Sequence, residues 1–419
     1  MVACGGDLSA DRLPIDADRD GYTNDVDLND QVPYQMPIIL LHGRDSNTET
    51  FYGVATAIAA GENDDYNLTD EKKQRYTNPE NHELLSIAEG RLGDYLTRQL
   101  GYQKNKNLFA FQYPNVDMVW KNAALLEQYV ENLVAAASTG DPGTAHFVEP
   151  DYLFATKEDR ANKRAKFILI GHSMGGLVSR YYIENITDQY VAKLITVCTP
   201  HYGSDMSERV GNFGVVLKPC DVDLMSDSCL FGARKKPLRD MPAWMDQEDD
   251  QYAYLNQSSS LNGNHNTNVE YYAIGGYDAN VTYDGDRPNN ELLENVSEKM
   301  QEALFHGQPV CVEFDIDIQS KWAFQDGINA KINALSCAQY DEPSEFTFTD
   351  SDGDNIVDYM SQFAVRFSTL GKNTGYQKIK KATLIITSGY HLLNHYHSQI
   401  ALEPLMHEAV RRYIAAGNS

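Results

Sequence analysis

The sequence predicts an α/β protein in which helices cover both faces of a mostly parallel sheet. The first observation is a continuous apolar run at 167–170, which suits a strand buried on both faces. The second is a set of five further apolar runs that end in turn residues or helical patterns. They lie within 36–44, 108–114, 192–204, 269–276 and 382–388. Strands that alternate with helices are typical of this class.

Helical patterns lie between and after these predicted strands. Asp117 is the predicted N-cap of a helix that runs to about Ala137, and its apolar side chains form one stripe. The stripe consists of Val119, Trp120, Ala123, Leu126, Val130, Leu133 and Val134. The last helix is predicted over Glu403–Ala415, and weaker patterns favour helices at Thr48–Ala60, Glu83–Leu100 and Asn290–Phe305.

The run at 167–170 leads into Gly171-His172-Ser173-Met174-Gly175-Gly176, and a helical pattern follows. A serine between a strand and a helix, flanked by glycines, is the context of the Gly-x-Ser-x-Gly nucleophile elbow. The glycines leave room where a Cβ would clash with a neighbouring element. The N-terminus of the next helix stabilises negative charge that develops at Ser173.

This stretch resembles the elbow of the α/β-hydrolase fold and, within it, of the bacterial lipase and esterase branch. The resemblance implies an inserted cap or lid and Ser173 as the nucleophile. In that branch an early strand ends in His-Gly, as at His42-Gly43. The implied oxyanion donors are the backbone N–H groups of Arg44 and Met174. Lipases usually carry an apolar residue at the position of Arg44, but a backbone donor does not depend on the side chain.

The resemblance also implies an acid and a base in the order Ser, acid, His. Asp354 aligns without gaps with the acid of the lipases, and Asp352, which precedes a glycine, is the runner-up. The aspartates of 350–358 have alternate spacing, so a calcium site is a competing interpretation. His397 matches the entry to the final helix, and His395 is the runner-up base.

An acidic stretch near the N-terminus has the spacing of a calcium loop, with a glycine at its sixth position. The predicted ligands are Asp16, Asp18, Asp20, Tyr22, Asn24 and Asp27. A solvated acidic linker is the alternative. Calcium is expected only as a structural ion, because the triad chemistry needs no cofactor.

Composition and cysteines bear on partners and compartment. The formal net charge of −25 argues against nucleic acid, or an anionic membrane surface, as the main partner. Disulfides 220–229 and 311–337 are predicted, with reduced thiols as the alternative, and Cys198 is predicted to be a buried free thiol. Residues 2–6 resemble the end of a bacterial lipoprotein signal, so a lipid at Cys4 is weighed against an ordinary N-terminus. The expected location is secreted or in the cell envelope.

The predicted organisation is an acidic segment at 1–35 and a hydrolase core at 36–204. A cap at 205–265 and the rest of the core at 266–419 follow, with an insertion at about 277–349. The resemblance implies hydrolysis of carboxylic esters, as by a lipase or carboxylesterase, through an acyl-enzyme. A thioesterase or phospholipid deacylase uses the same triad. A calcium-stabilised surface or adhesion protein on an inactive hydrolase scaffold is the alternative from another class.

Overall fold

The computed structural model describes thirteen parts of the 419-residue chain. They are residues 33–43, 51–56, 70–114, 119–139, 148–201, 268–278, 298–306, 308–315, 328–332, 344–348, 362, 379–387 and 396–416.

The described strands are numbered in chain order. They are β1 (Ile38–Leu41), β2 (Val54–Thr56), β3 (Leu84–Ile87), β4 (Leu108–Phe111), β5 (Phe167–His172), β6 (Val191–Val197), β7 (Glu270–Asp278), β8 (Val310–Asp315), β9 (Ile328–Ile332), β10 (Ser344–Phe348) and β11 (Ile379–Thr387).

The described α-helices are numbered in the same way. They are α1 (Asp70–Thr77), α2 (Leu92–Arg98), α3 (Val119–Thr139), α4 (Pro150–Leu153), α5 (Lys157–Ala161), α6 (Met174–Tyr181), α7 (Glu298–Phe305), α8 (Tyr396–Gln399) and α9 (Pro404–Ala415). Short 3-10 turns lie at Pro79–His82 and Ile400–Leu402, and a π-helical turn extends α6 over Tyr182–Ile186.

Seven strands form the central sheet, in the order β4-β1-β5-β6-β7-β11-β8. The first six run parallel to one another, and β8 pairs antiparallel with β11 at the edge. The expected mostly parallel sheet is therefore confirmed. Because parallel strands end at the same edge, the residues that follow β1, β5 and β6 meet at the carboxyl edge of the sheet, where β11 also ends.

Both faces of the sheet are buried, which explains why the strands read as continuous apolar runs. Along β1, Ile39 and Leu41 face one apolar cluster, whereas Ile38 and Leu40 face the other. Helices α3 and α6 contribute to the first cluster, and α2 and α9 contribute to the second. Helices thus cover both faces, as predicted.

The region before β4 corrects two predictions. Helices were expected at Thr48–Ala60 and Glu83–Leu100, but Val54–Thr56 and Leu84–Ile87 pair as an antiparallel two-stranded sheet, and the second range is helical only at Leu92–Arg98. Gly90, with φ of +76°, separates β3 from the short helix α2. The predicted stripe of α3 is buried except at Trp120, which is 44% exposed in the first turn of the helix.

The insertion supplies an edge of the main sheet, which its sequence did not predict. Strand β8 carries Glu313, and this nearly buried carboxylate pairs with Lys381 of β11 at 3.4 Å and with Arg412 of α9 at 3.1 Å. These two contacts join the edge strand to its neighbour and to the last helix. The predicted helix at Asn290–Phe305 is present in its second half, as α7.

Two further features bear on predictions made from sequence. Cys198 is a buried free thiol, as predicted. Cys311 on β8 is disulfide-bonded, but Cys220, Cys229 and Cys337 lie outside the described residues, so both pairings stay predictions. Among the described helices, none is long and apolar enough to cross a membrane.

Candidate active site

Ser173 occupies a sharp turn between a strand and a helix. Strand β5 ends at His172, and α6 begins at Met174. Ser173 has φ of 52° and ψ of −123°, a backbone conformation that non-glycine residues rarely adopt. Its backbone N–H donates to the carbonyl of Val197 at 2.9 Å, which ties the turn to the end of β6. Ser173 therefore lies in the strand–turn–helix geometry that the sequence predicts, and its role as nucleophile stays a prediction.

The glycines of the motif are explained by close backbone approach. A Cβ on Gly171 would lie 2.5 Å from the backbone nitrogen of Gly176. A Cβ on Gly175 would lie 2.5 Å from the carbonyl oxygen of Leu41, at the end of β1. Both distances are shorter than any real Cβ contact, so only glycine fits where α6 crosses the carboxyl edge of the sheet.

The loop after β1 lies against the serine on one side. An added Cβ on Gly43 would come within 2.9 Å of the Cβ of Ser173. The ring of His42 stacks on Tyr113, with centroids 4.2 Å apart and planes at 10°. His42 Nδ1 donates to the carbonyl of Gly43 at 2.8 Å, and its Nε2 accepts from the backbone N–H of Tyr113 at 3.3 Å. The hydroxyl of Tyr113 donates to the carbonyl of His42.

These contacts fix the loop with a neutral imidazole. Burial lowers the pKa of His42 to about 4, so the ring is uncharged at neutral pH. An uncharged ring with an acceptor at Nε2 carries its proton on Nδ1. His42 thus holds the His-Gly loop rather than acting as an acid or base.

The segment that carries His397 lies on the other side. His397 is buried in α8, the short helix that follows the β11 strand. The backbone carbonyl of His397 accepts from His172 Nε2 at 2.9 Å, across a separation of 225 residues. The two imidazole rings have centroids 4.7 Å apart. The fold therefore brings the predicted base to the residue that precedes the predicted nucleophile.

His172 itself is enclosed. Its ring stacks on Phe51, with centroids 4.2 Å apart and planes at 11°. Burial, with a smaller contribution from His397, holds the pKa of His172 well below its usual value of 6.5. Sequence reasoning treated His172 only as one residue of the motif, and no sequence signal pointed to a partner so far along the chain.

The loop that follows β6 is held by contacts to helix α6. His201 Nε2 lies 3.3 Å from the hydroxyl of Thr196, and its Nδ1 lies 3.5 Å from Arg180 Nη1. Arg180 forms a buried ion pair with Glu184 at 3.0 Å. Burial, aided by Arg180, holds the pKa of His201 well below its usual value. These contacts support a structural role for His201.

Several predicted site residues cannot be located. Arg44, Asp352, Asp354 and His395 lie outside the described residues, as do the predicted calcium ligands of 16–27 and the whole of the predicted cap at 205–265. Within the described ranges, no group of three or more His, Cys, Asp or Glu side chains is arranged to hold a metal ion. Ser173, Met174 and His397 are the predicted site residues that the structure describes.

Comparison with protein families gives two matches, each to part of the chain. A model described as the PGAP1-like alpha/beta domain matches residues 33–213, a range that includes β1, β4, β5 and β6. The chain has the α/β-hydrolase fold. A second model, palmitoyl protein thioesterase, matches residues 128–302 of this chain. Each model covers less than half of the 419 residues.

Individual relatives match smaller parts. Triacylglycerol lipase 2 of Saccharomyces cerevisiae is 45% identical over 56 residues, which are 13% of this chain and 17% of the yeast protein. The lipase BlEst2 of Bacillus licheniformis in its propeptide form is 14% identical, with a TM-score of 0.31, over 59% of this chain and 37% of that one.

Two other solved structures are similarly distant. The phospholipase PlaB of Legionella pneumophila is 16% identical, with a TM-score of 0.30, over 61% of this chain and 42% of its own. A chain of the Tle4–Tli4 complex is 12% identical, with a TM-score of 0.35, over 91% of this chain and 99% of that one. Scores this low carry no argument about activity.

Proposed function

We propose that the protein is a serine hydrolase that cleaves carboxylic esters through an acyl-enzyme. The observation that carries the proposal is the position of Ser173. It is held at φ 52° at the carboxyl edge, with Gly43 against its Cβ. The residue before it, His172, bonds to the segment of His397. A strained serine between a His-Gly loop and a histidine segment is the arrangement that acyl transfer needs.

In the proposed reaction His397 takes the proton of the Ser173 hydroxyl while Oγ attacks the carbonyl carbon of the ester. The tetrahedral oxyanion accepts from the backbone N–H groups of Met174 and Arg44. His397 then returns the proton to the departing alkoxide, which leaves as the alcohol. A water molecule repeats the sequence on the acyl-enzyme and releases the acid. Asp354 is proposed to orient the His397 imidazole.

Thioesters are the second candidate substrate. The palmitoyl protein thioesterase model matches residues 128–302, a range that includes the elbow. An acyl thioester reacts through the same steps, with a thiolate as the leaving group. Ester and thioester hydrolysis are therefore distinguished by kinetics with matched acyl chains.

We also retain three proposals that rest on sequence patterns. They are a structural calcium ion in the loop 16–27, attachment of the chain to a membrane by a lipid at Cys4, and a secreted or cell-envelope location. The triad itself needs no cofactor. Chelation with EDTA is expected to lower thermal stability without changing the chemical step, because the proposed ion is structural. A change in kcat at a temperature where the fold is intact would contradict that expectation.

The first experiment is hydrolysis of p-nitrophenyl esters of short and long acyl chains by the wild type and Ser173→Ala. We expect the variant to lose about 10⁴-fold or more in kcat, because the nucleophile is absent. Ser179→Ala is the matched control. Ser179 lies on α6, the helix that begins after Ser173, and its hydroxyl donates to the carbonyl of Gly175 at 2.8 Å, so turnover should be retained.

The same assay separates the alternative assignments of acid and base. Asp354→Asn and His397→Gln are expected to lose about 10³-fold or more, whereas Asp352→Asn and His395→Gln should remain within about tenfold of the wild type. The reverse pattern would move the triad to the runner-up residues.

Absence of turnover on every ester and thioester would contradict the proposal if a fluorophosphonate also failed to label Ser173. That pair of results would favour the inactive, calcium-stabilised surface protein. The acyl-chain profile of an active enzyme would separate lipase from carboxylesterase behaviour.

A further inference from the structure

The side chain of His172 connects the two halves of the proposed catalytic machinery. It precedes Ser173 in the chain, and its Nε2 lies 2.9 Å from the carbonyl oxygen of His397. A carbonyl can only accept, so Nε2 carries the proton and donates it. This contact is buried, since His172 is 4% and His397 is 5% exposed.

The ring is fixed in the orientation that this hydrogen bond requires. Phe51 stacks on it with the planes nearly parallel, and the ring of His397 approaches to 4.7 Å at an angle of 44°. At the Nδ1 side, Gly43 is so close that an added Cβ would come within 2.9 Å. Rotation of the ring is thus opposed by Phe51, His397 and Gly43.

The protonation state agrees with the geometry. Among the described residues, His172 Nδ1 has no hydrogen-bond partner, as expected for an imidazole that keeps its proton on Nε2. The low pKa of His172, caused mainly by burial, keeps the ring neutral. A charged ring so close to His397 would oppose the positive charge that the base acquires during the reaction.

We propose that His172 is a positioning residue that holds the backbone of the general base at the elbow through its Nε2–H. The inference rests on the proposed function, because it assigns His397 the role of base. His172 touches neither substrate nor reacting atoms in this role. It fixes the distance between Ser173 and His397, because it precedes Ser173 in the chain and binds the backbone of His397. Small displacements of a base are costly to catalysis, by about 10²-fold for 1 Å.

Two substitutions at position 172 separate the contribution of the N–H donor from that of the aromatic ring. His172→Phe retains an aromatic ring that can stack on Phe51 but removes the N–H. His172→Gln removes the ring but places an amide N–H near the position of Nε2. We expect kcat to fall about 10- to 100-fold in His172→Phe, with KM within about threefold. His172→Gln should recover kcat to within about fivefold of the wild type.

His82→Phe is the matched control. His82 is also buried and neutral, its Nε2 lies 3.0 Å from the carbonyl oxygen of Tyr76, and its ring stacks against Phe111. Its loss should lower the melting temperature and leave kcat unchanged. If His172 is merely a packing residue, His172→Phe should behave like His82→Phe, and His172→Gln should be the more damaged variant at position 172.

The outcomes distinguish this inference from the proposed function. A wild type that neither hydrolyses esters nor reacts with a fluorophosphonate would overturn both. An active wild type with equal kcat in His172→Phe would overturn the positioning role alone. NMR of ¹⁵N-histidine-labelled protein adds a test without activity. We expect His172 to be the Nε2–H tautomer from pH 6 to 8, and a Nδ1–H tautomer or a charged ring would overturn the inference.

Discussion

The two sides of Ser173 are built differently. On the proposed oxyanion side, the loop of His42 and Gly43 is held by two hydrogen bonds of the His42 ring and by the Tyr113 hydroxyl. Tyr113 also stacks on that ring. On the proposed base side, the elbow is connected to the backbone of His397 by the hydrogen bond that His172 Nε2 donates.

This difference indicates which contacts fix the position of each half of the proposed catalytic site. The loop of His42 and Gly43 lies at the end of β1, beside the end of the neighbouring strand β4. Contacts to the nearby Tyr113 are therefore sufficient to hold this loop in place. The base follows β11, which is three strands away from β5 in the sheet. Its position therefore depends on a side chain that reaches across the carboxyl edge. We expect kcat to tolerate the loss of one hydrogen bond on the oxyanion side but not the loss of one on the base side.

The largest effect is expected where the two sides meet, at Gly43. In Gly43→Ala the new methyl group would lie 2.9 Å from both the Cβ of Ser173 and the Nδ1 of His172. Because one change displaces the nucleophile and the positioning residue together, kcat should fall about 10²-fold or more. The measurement is kcat for a p-nitrophenyl ester, alongside the melting temperature.

Gly90→Ala is the control for this glycine. Its Cβ would meet nothing within 4 Å, but its φ of +76° makes any side chain unfavourable. We expect the variant to lose about 1 kcal/mol of folding free energy and to keep its kcat. Equal kcat values for Gly43→Ala and the wild type would show that the two sides do not converge at Gly43.

A smaller effect is expected from Tyr113→Phe on the oxyanion side. Phenylalanine keeps the stack on His42 and removes the hydroxyl that donates to the His42 carbonyl. The free energy of unfolding should fall by about 1–2 kcal/mol. Because both bonds of the His42 ring remain, kcat should fall less than about fivefold, well below the loss in His172→Phe.

Tyr129→Phe provides the reference for a buried hydroxyl. Within the part of the chain that the structure describes, the hydroxyl of Tyr129 has no hydrogen-bond partner. Its removal is expected to leave stability unchanged or to raise it slightly. Urea denaturation of the wild type, Tyr113→Phe and Tyr129→Phe measures the differences in the free energy of unfolding. A larger kcat loss in Tyr113→Phe than in His172→Phe would reverse the comparison between the two sides.

Much of the sheet could be predicted because its strands are buried on both faces. Residues 38–41, 108–111 and 167–170 are apolar without interruption, and glycine or proline follows each run within a few residues. The elbow was predictable because its residues are contiguous in sequence and Gly171 is required by its approach to Gly176 within the same motif, although Gly175 is required by the distant Leu41. Local sequence thus carries both the strands and the nucleophile.

Other features depend on distant contacts and escaped prediction. Residues 83–100 have apolar spacing that suits a helix, yet Leu84–Ile87 pairs with β2 and Gly90 ends the segment. Strand β8 was not predicted as part of the sheet, because its partner β11 lies about 70 residues later. The contact from His172 to His397 spans 225 residues, so nothing near His172 signals it.

The smallest expected effect is the change in the free energy of unfolding with pH. His42 on one side of Ser173 and His172 on the other contribute to it in the same direction. Burial lowers the pKa of His42 to about 4 and holds that of His172 well below 6.5. Such histidines bind protons more readily in the unfolded chain, so their contribution is fully present above pH 6.5 and is lost as pH falls below it. At pH 6 each histidine should reduce the free energy of unfolding by about 1 kcal/mol or less.

Urea denaturation at pH 7.5, 6.0 and 5.0 tests this dependence. His172→Phe removes one of these histidines and should lose less stability on acidification than the wild type, whereas Tyr113→Phe removes none and should keep the wild-type dependence. If the two variants show equal dependence on pH, folding does not lower the pKa of His172, and its ring becomes charged in the folded protein as pH falls through about 6.5. A charged ring has no bare Nδ1 and would repel the imidazolium formed at His397. That result would remove the reason for placing a neutral donor between nucleophile and base.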